Sequence, residues 1–172
     1  MEEVKIGNQT WMVKNLDVDT FRNGDPIPEA RTEEEWESSG LNGEPAWCYY
    51  DNDPANGEKY GKLYNWHAVN DSRGLVPEGW KVPTDEDWKE LLESFDWKSF
   101  PLKSNEIWEN TEFDSNESGF SALPSGKRDI GGDFELLNEY GYFWSETEYT
   151  DDFSWCLYLG PDEDEAIFDY DS

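Results

Sequence analysis

The stretch GWKVPTDEDW, residues 79–88, decides more about the fold than any other part of the chain. Pro83 ends an extended segment, and Thr84 follows it as a residue type that caps helix starts well. The three acids after Thr84 suit the exposed amides and the positive end of the helix dipole. Apolar side chains then recur at helical spacing: Trp88, Leu91, Leu92 and Phe95. We therefore predict an amphipathic helix that buries one face.

Two further segments carry similar local signals. Thr32, followed by three glutamates and Trp36, repeats the capped start and predicts a second, short helix. Residues 4–13 contain two strand-like runs around a Gly-Asn pair, which is typical of a β-hairpin. The domain is thus expected to begin with β structure and to combine it with helices.

The rest of the chain gives weaker signals until its last third. We expect an extended segment over residues 45–53, a loop over 51–57, and long packed loops over 101–133. Residues 61–69 fit a helix or a strand equally well. Three strands, at 142–145, 154–159 and 166–170, then predict an antiparallel meander with turns at 150–152 and 160–164.

Length and charge limit the classes of protein to consider. The chain has 172 residues and no long linker, so we expect one domain over 1–172. Its 41 acidic and 13 basic residues give a formal charge of -28, which repels phosphate backbones and anionic bilayers. We expect neither a nucleic-acid partner nor membrane insertion. The charge indicates either a secreted or halophilic acidic surface or a set of cation sites.

Aromatic residues make up 16% of the chain, including ten tryptophans, so the core must be built mainly from aromatic rings. This composition excludes ordinary acidic disorder. No apolar run reaches membrane-spanning length, and residues 1–7 have neither the basic start nor the apolar core of a signal peptide. Cys48 and Cys156 are expected either to form one long-range disulfide or to be two buried thiols.

Five motifs, read in order, carry a resemblance to a known family. They are IGNQTWM with Asn15-Leu16 after it, YGKLYNW at 60–66, PEGWKVPTD at 77–85, NESGFSALP at 116–124 and GYFWSETE at 141–148. In these motifs the chain resembles the Fibrobacter succinogenes major paralogous domain. That family occurs largely in bacterial surface and secreted proteins, so the resemblance implies an extracellular or cell-surface location.

Residues 80–88 also resemble the signature of the formylglycine-generating enzyme superfamily, whose fold is a variant of the C-type lectin fold. The resemblance implies an α+β fold of C-type lectin-like architecture, with short antiparallel sheets, one or two amphipathic helices and long packed loops. The oxidases of that superfamily depend on a cysteine pair near the end of the fold. Here only Cys156 lies in the last third of the chain, so we expect no enzyme.

Members of the family usually finish with one more strand than this sequence shows after Tyr170. In lectin-like folds the first and last strands pair, so we expect an open edge in the region 4–12. Charge and short strands can protect such an edge. Alternatively, another chain fills it by strand addition, which would produce self-association or a larger assembly.

Two acidic segments are candidates for calcium. Asp51, Asp53, Asn56 and Glu58 offer hard oxygen ligands, although their spacing departs from that of an EF-hand loop. The acidic run at 162–165 is the second candidate. A capped turn and a solvated hairpin tip are the competing interpretations, so calcium is the only cofactor we consider.

Catalytic patterns are weaker still. His67 is the only histidine in the chain, and its position between Trp66 and Ala68 favours a packed, hydrogen-bonded role. Two cysteines and one histidine fit no zinc pattern. Carboxylate pairs of the kind used in glycoside hydrolysis carry no information in so acidic a chain.

A binding role has better support. The resemblance places a ligand surface on loops and adjoining strands of the last third, where the candidates are Arg128, Asp129, Asp133, Tyr140, Tyr142 and Glu146. Aromatic platforms beside carboxylates suit both sugar faces and protein epitopes. Phe143 and Trp144, by contrast, are expected in the core. We therefore expect a non-enzymatic binding or adhesion module for a glycan or protein ligand; a structural subunit completed by a neighbour's strand is the alternative.

Overall fold

The computed structural model describes residues 2–105, 107–108, 115–150, 153–161 and 164–171, and these residues form a mixed α+β fold. The strands are β1 (Glu3–Ile6), β2 (Gln9–Met12), β3 (Trp47–Cys48), β4 (Leu63–Tyr64), β5 (Ser125–Arg128), β6 (Phe134–Leu137), β7 (Gly141–Thr150), β8 (Phe153–Leu159) and β9 (Ile167–Asp171). The helices are α1 (Glu33–Asn42), α2 (Pro54–Tyr60), α3 (Trp66–Val69) and α4 (Asp85–Glu93).

The predicted hairpin is confirmed as the antiparallel pair β1–β2, in which Ile6 pairs with Gln9. Gly7 adopts a φ of 58° in the turn, a left-handed conformation that glycine enters without steric cost. Within the described residues, the hairpin forms a sheet of its own, and no backbone hydrogen bond joins β1 or β2 to another strand.

Both predicted helix starts are confirmed. Thr32 Oγ1 accepts a hydrogen bond from Glu35 N (3.1 Å), while Glu35 Oε2 accepts one from Thr32 N (3.1 Å). The same reciprocal arrangement joins Thr84 and Asp87 at the start of α4. Each arrangement satisfies two backbone amides that the helix leaves without partners. The buried face of α4 is also confirmed: Trp88, Leu91 and Leu92.

The prediction for residues 51–57 was wrong in part, because Pro54–Tyr60 forms helix α2. Asp53 Oδ1 accepts a hydrogen bond from Ala55 N (2.9 Å), and Pro54 occupies the first helical turn, where its missing amide costs nothing. Residues 61–69 contain both a strand and a helix, β4 and α3. A strand, β5, also forms inside the segment expected to be loops, because residues 125–128 pair with both β6 and β7.

The largest sheet has five strands in the order β6-β5-β7-β8-β9 and curls into a half-barrel. The predicted antiparallel meander is confirmed for β7, β8 and β9. The pair β5–β7 is parallel, and β5–β6 is antiparallel. The predicted turns lie partly outside the described residues, at positions 151–152 and 162–163.

The sheet buries side chains on both faces. One face, with Phe143 and Leu157, packs on a core cluster that includes Trp11 of the hairpin and Trp88 of α4. The opposite face presents Trp144 to a second cluster, whose buried members are Phe21, Ile27, Trp47, Ala68, Val69 and Leu75. The sheet therefore separates two aromatic-rich cores, and the expected core positions of Phe143 and Trp144 are confirmed as half-buried side chains packed against them.

Both cysteines are buried, and no disulfide joins them. Burial raises the pKa of the Cys48 thiol to about 11, so this side chain stays protonated at neutral pH. Of the two alternatives, the structure contains buried thiols. The helices among the described residues are all too short or too polar to cross a bilayer.

Candidate binding surfaces

Arg128 is buried, so it is not an exposed member of the predicted ligand surface. Its Nε donates to the backbone oxygen of Gly132 (2.9 Å) and its Nη1 to that of Ala30 (2.8 Å). The guanidinium group also lies 5.0 Å from the ring centre of Trp36 and 4.6 Å from that of Phe134. A planar cation fits between aromatic faces because it is weakly hydrated and keeps its donors in one plane. Arg128 thus joins β5 to the segment before α1.

Asp129 and Asp133 shape the turn between β5 and β6. Asp129 Oδ1 accepts a hydrogen bond from Asp133 N (2.8 Å), and the backbone oxygen of Asp129 accepts one from Trp36 Nε1 (2.9 Å). Gly132 has a φ of 98°, and a Cβ atom there would lie 2.9 Å from Glu33 Cα. The turn therefore packs directly on the start of α1, while Asp133 itself stays exposed.

Tyr140 and Tyr142 lie together, with ring centres 6.0 Å apart. Tyr158 packs edge-on against Tyr142 (5.1 Å), and Lys127 Nζ lies 5.3 Å from the centre of the Tyr142 ring. All four side chains are half-buried. The structure thus brings these two predicted site residues into one tyrosine cluster, and their role in binding stays a prediction.

The last predicted ligand residue, Glu146, is exposed and is anchored elsewhere. Its backbone amide donates to the oxygen of Pro83 (2.7 Å), which lies just before α4. The predicted set is therefore held in three places: the β5–β6 turn, the tyrosine cluster and the start of α4.

Two of the candidate calcium ligands at 51–58 already form hydrogen bonds with nearby backbone groups. Asp53 caps α2, and Asn56 Nδ2 donates to the backbone oxygen of Tyr50 (3.0 Å). Asp51 has a φ of 54° in the short 3-10 turn that precedes α2. No group of three or more His, Cys, Asp or Glu side chains suited to a metal occurs in the described part of the chain. The residues at 51–58 therefore fit calcium poorly, and two acids of the run at 162–165 lie outside the described residues.

His67 has a structural contact. Its Nε2 lies 3.0 Å from the backbone oxygen of Gly40, in the last turn of α1. The ring is half-buried and its Cε1 is 4.0 Å from the position that a Cβ of Gly43 would occupy. This contact agrees with the interpretation of a packed, hydrogen-bonded histidine, since it ties α3 to the C-terminal end of α1.

A groove of about 1550 Å³ runs between the hairpin, the end of α1, α3 and residues 75–83. Its walls include Trp66, Trp80 and Trp144. Two contacts across this region are already internal: Gln9 Nε2 donates to Asp87 O (3.0 Å), and Trp144 Nε1 donates to Tyr64 O (2.9 Å). These polar groups hold the walls of the groove together and are not available to a ligand.

A second surface offers aromatic rings directly to solvent. We call it the aromatic strip and define it by four residues of β7, β8 and β9: Tyr149, Phe153, Trp155 and Tyr170. The Tyr149 and Tyr170 rings stack with centres 4.3 Å apart and planes at 6°. Trp155 packs edge-on against Tyr149 (5.2 Å), and Phe153 packs edge-on against Tyr170 (5.6 Å). The exposed fractions of Tyr149, Phe153 and Tyr170 are 48%, 38% and 45%, whereas Trp155 is half-buried.

Strand alternation explains why these rings share a surface. Trp155 pairs with Tyr170, and Leu157 pairs with Phe168 one step further along the same face. Leu157 is fully buried and Phe168 packs against the same core, whereas Trp155 lies beyond it. Phe168 stacks on Trp155 with ring centres 5.3 Å apart. The strip is thus the continuation of a core face past the point where the core ends.

The sequence patterns predict the three strands but do not locate this surface, since they place the exposed aromatic residues at 140–146. A signal was present, because Phe153 and Trp155 alternate on one strand and Phe168 and Tyr170 on the next, with acids around them. Strand alternation therefore indicates a shared face, but it does not tell where along that face the core stops.

No curated protein and no solved structure matches the chain. A family model does match, over residues 4–168, and its description is the Fibrobacter succinogenes major domain. The match spans the hairpin from Val4 onward, α1, α4 and the first two residues of β9. The chain belongs to the Fibrobacter succinogenes major domain family.

Proposed function

We propose that the domain is a non-enzymatic binding module that works outside the cell or on its surface, and that the aromatic strip contacts the ligand. In this proposal the fold is of C-type lectin-like architecture, and the ligand is a glycan or a protein. The strip carries the proposal, because it is a group of large apolar rings held in the open by neighbouring strands.

The rest of the chain makes this exposure unusual. The mean hydropathy is -0.95 and the formal charge is -28, so polar side chains are abundant. Exposed clusters of apolar rings rimmed by polar residues mark interaction surfaces more often than other parts of a protein. Tyrosine and tryptophan are also enriched where binding energy concentrates, because rigid rings lose little conformational entropy on binding.

The chemistry of the reactive side chains supports a role without catalysis. His67, the only histidine, contacts the backbone oxygen of Gly40. Cys48 is buried with a raised pKa, which disfavours the thiolate that a nucleophile requires. Neither residue lies on the aromatic strip.

A glycan and peptide array tests this proposal, with and without calcium. We expect binding by the natural chain and loss of that binding in Trp155→Ala/Tyr170→Ala, because the platform is removed. Tyr140→Ala/Tyr142→Ala is the matched control, since it removes two half-buried rings at the other predicted site. Binding that depends on Tyr140 and Tyr142 alone would contradict a role of the strip and favour the tyrosine cluster as the ligand site. Binding that requires calcium would favour a calcium site in one of the two acidic segments, 51–58 or 162–165.

The alternative is a structural subunit completed by strand addition, and the isolated hairpin β1–β2 favours it. A sheet of two strands leaves both outer edges without strand partners among the described residues. Light scattering over a range of protein concentrations tests this alternative. Assembly with slow hydrogen exchange in residues 3–6 would support it, whereas a monomer with the same slow exchange would contradict it.

A further inference from the structure

Among the described residues, the outer edge of β9 is covered at its start and has no strand beside it afterwards. Ser99 N donates to Asp164 O (3.0 Å), and Ala166 N donates to Trp97 O (2.8 Å), so residues 97–99 run antiparallel beside 164–166. Within the described residues, no backbone hydrogen bond continues this pairing along Ile167–Asp171. In the part of the chain that the structure describes, the sheet therefore ends in an uncovered strand edge next to a short covered one.

Alternation identifies the groups on that edge. The N–H and C=O of one residue point to the same side of a strand, and the side changes at every residue. Residues 164 and 166 point outward, so Phe168 and Tyr170 do so as well. Ala166 and Phe168 both face the same core, which indicates that the alternation is unbroken. Two residues of β9 thus present backbone donors and acceptors outward.

Asp169 covers part of this edge with its own side chain. Its Oδ1 accepts a hydrogen bond from Tyr170 N (2.9 Å), one of the outward amides. Charged side chains are a common protection of sheet edges against uncontrolled pairing. The contact is local and exposed, so a partner that offers a carbonyl to Tyr170 N and a cation to Asp169 can replace it.

The aromatic strip borders the same edge. Tyr170 belongs to both, and its ring packs against Phe153 and stacks on Tyr149. Alternate side chains of a strand placed beside β9 would lie on the strip side, within reach of Tyr170. The remaining side chains would lie on the side of Ile167 and Asp169. The edge and the strip therefore form one surface suited to an extended segment.

Charge decides which segment fits. After Arg128 the chain contains fourteen acidic residues and no lysine, arginine or histidine. The strands β7, β8 and β9 all lie in this part of the chain, and Glu146, Glu148 and Asp169 are exposed on them. A second copy of the chain carries the same charge of -28 and is repelled. A cationic partner is attracted and guided to the edge.

We propose that the uncovered edge of β9 binds an extended segment of a partner protein in which basic and apolar residues alternate. The basic side chains pair with Asp169 on one side of the sheet, and the apolar side chains pack on the aromatic strip on the other. Backbone hydrogen bonds to Phe168 and Tyr170 supply affinity, as in other strand-addition complexes. This inference rests on the proposed binding function and specifies the ligand as an extended peptide.

The test uses a fluorescent ten-residue peptide of alternating lysine and valine, titrated against the full chain by fluorescence anisotropy. We expect saturable binding, weakened about tenfold or more by Asp169→Lys and by Trp155→Ala. Glu37→Lys is the matched control, because it reverses an exposed acid of α1 that belongs neither to the strip nor to the edge, and it should change the dissociation constant less than about twofold. Circular dichroism confirms that each variant is folded.

Two further probes separate strand addition from simple charge attraction. A peptide with two of its valines replaced by proline keeps every lysine but cannot pair along an edge, so it should bind at least about tenfold more weakly. Hydrogen exchange at Phe168 and Tyr170 should slow in the complex. Equal binding of the proline peptide, or unchanged exchange at both amides, would overturn the inference.

The same measurements keep this inference apart from the proposed function. If glycans bind through the strip while the alternating peptide does not bind, the inference fails and the binding function stands. If neither class of ligand depends on Trp155 and Tyr170, both fail.

Discussion

Two aromatic regions of this molecule are built from the same residue types and differ in what surrounds them. The first is the buried aromatic centre, formed by Trp11, Trp88, Phe120 and Phe143, in which the Trp11 and Trp88 rings lie 4.8 Å apart. The second is the aromatic strip, in which the Tyr149 and Tyr170 rings lie 4.3 Å apart. Ring contact distances are therefore similar, and they do not distinguish a core from a surface.

The difference lies in the outer contacts of the rings. In the buried centre, Trp88 Nε1 donates to Trp144 O (3.2 Å) and Trp11 Nε1 donates to Gln9 Oε1 (3.2 Å). On the strip, the indole N–H of Trp155 has no acceptor among the described residues. A buried ring requires a partner for its polar atom, whereas the half-buried Trp155 keeps its Nε1 accessible to water. An indole N–H that is hydrogen-bonded inside the protein thus indicates a role in stability, whereas one without a protein acceptor is available to a ligand.

The largest expected effect comes from replacing one tryptophan of the buried centre by alanine, compared with the same replacement on the strip. Trp88→Ala should lower the free energy of unfolding by about 3–5 kcal/mol, because it opens a cavity in the buried centre. Trp155→Ala should cost about 1 kcal/mol, because that ring lies beyond the core. Urea unfolding followed by circular dichroism measures both. Equal losses would show that the strip is a core region, and would remove the main argument for a binding surface.

A second prediction concerns Arg128, whose guanidinium group lies near the rings of Trp36 and Phe134. Arg128→Ala should lower the free energy of unfolding by about 3 kcal/mol, because two backbone oxygens lose a charged donor and two rings lose a neighbour. Arg128→Lys should recover less than half of that loss, since an ammonium group cannot replace the planar fork.

Arg31→Ala is the control for this cation, because the Arg31 side chain is mostly exposed and, among the described residues, its guanidinium group pairs with Glu29. Its expected effect is within about 0.5 kcal/mol. Thermal unfolding of the three variants in one buffer makes the comparison. If Arg128→Ala is as stable as Arg31→Ala, the assignment of Arg128 to the structural framework is wrong and a ligand role becomes stronger.

A third prediction concerns the helix that carries Trp88 into the buried centre. Thr84→Ala should cost about 1 kcal/mol by removing the cap of α4, whereas Thr84→Ser keeps the hydroxyl and should cost less. Neither change should affect ligand binding at the strip. Urea midpoints and the array signal measure the two outcomes, and a loss of array signal in a stable Thr84→Ala variant would connect the two regions.

The smallest predicted effect is a pH dependence at the start of α4. A hydrogen bond from Lys89 holds the pKa of the Asp85 carboxyl below its ordinary value. A carboxyl with a depressed pKa in the folded state stabilises the fold above its unfolded pKa, and this contribution disappears as pH falls through the folded value. The loss should therefore occur below about pH 4.

Asp85→Asn isolates this contribution from the general effect of so many carboxylates. The difference in unfolding free energy between the natural chain and the variant should be constant near neutral pH and shrink below about pH 4. Urea unfolding over a pH series measures it. A difference that grows on acidification would contradict the depressed pKa.

Local rules were sufficient for the elements with short-range causes. The capping boxes at Thr32 and Thr84, the glycine turn of the hairpin and the alternation in the last third were all read from residues close in sequence. Helix α2 was missed although Asp53-Pro54 is a recognisable start, because the following Gly57 and polar residues resemble a loop. The binding candidates were harder to place, since exposure depends on partners far away in the chain. Arg128, for example, is buried by Ala30, 98 positions earlier.

The sequence by itself determined the family, the aromatic character of the core, the strong negative charge and the helices and strands that local signals specify. The tertiary structure alone decided which aromatic residues are buried and which are exposed, because the burial of a side chain depends on where its strand leaves the core. It also decided that no other described strand covers the outer edge of β9 beside the strip. The physical reason is that capping and alternation act over a few residues, whereas burial and edge pairing depend on contacts between distant segments.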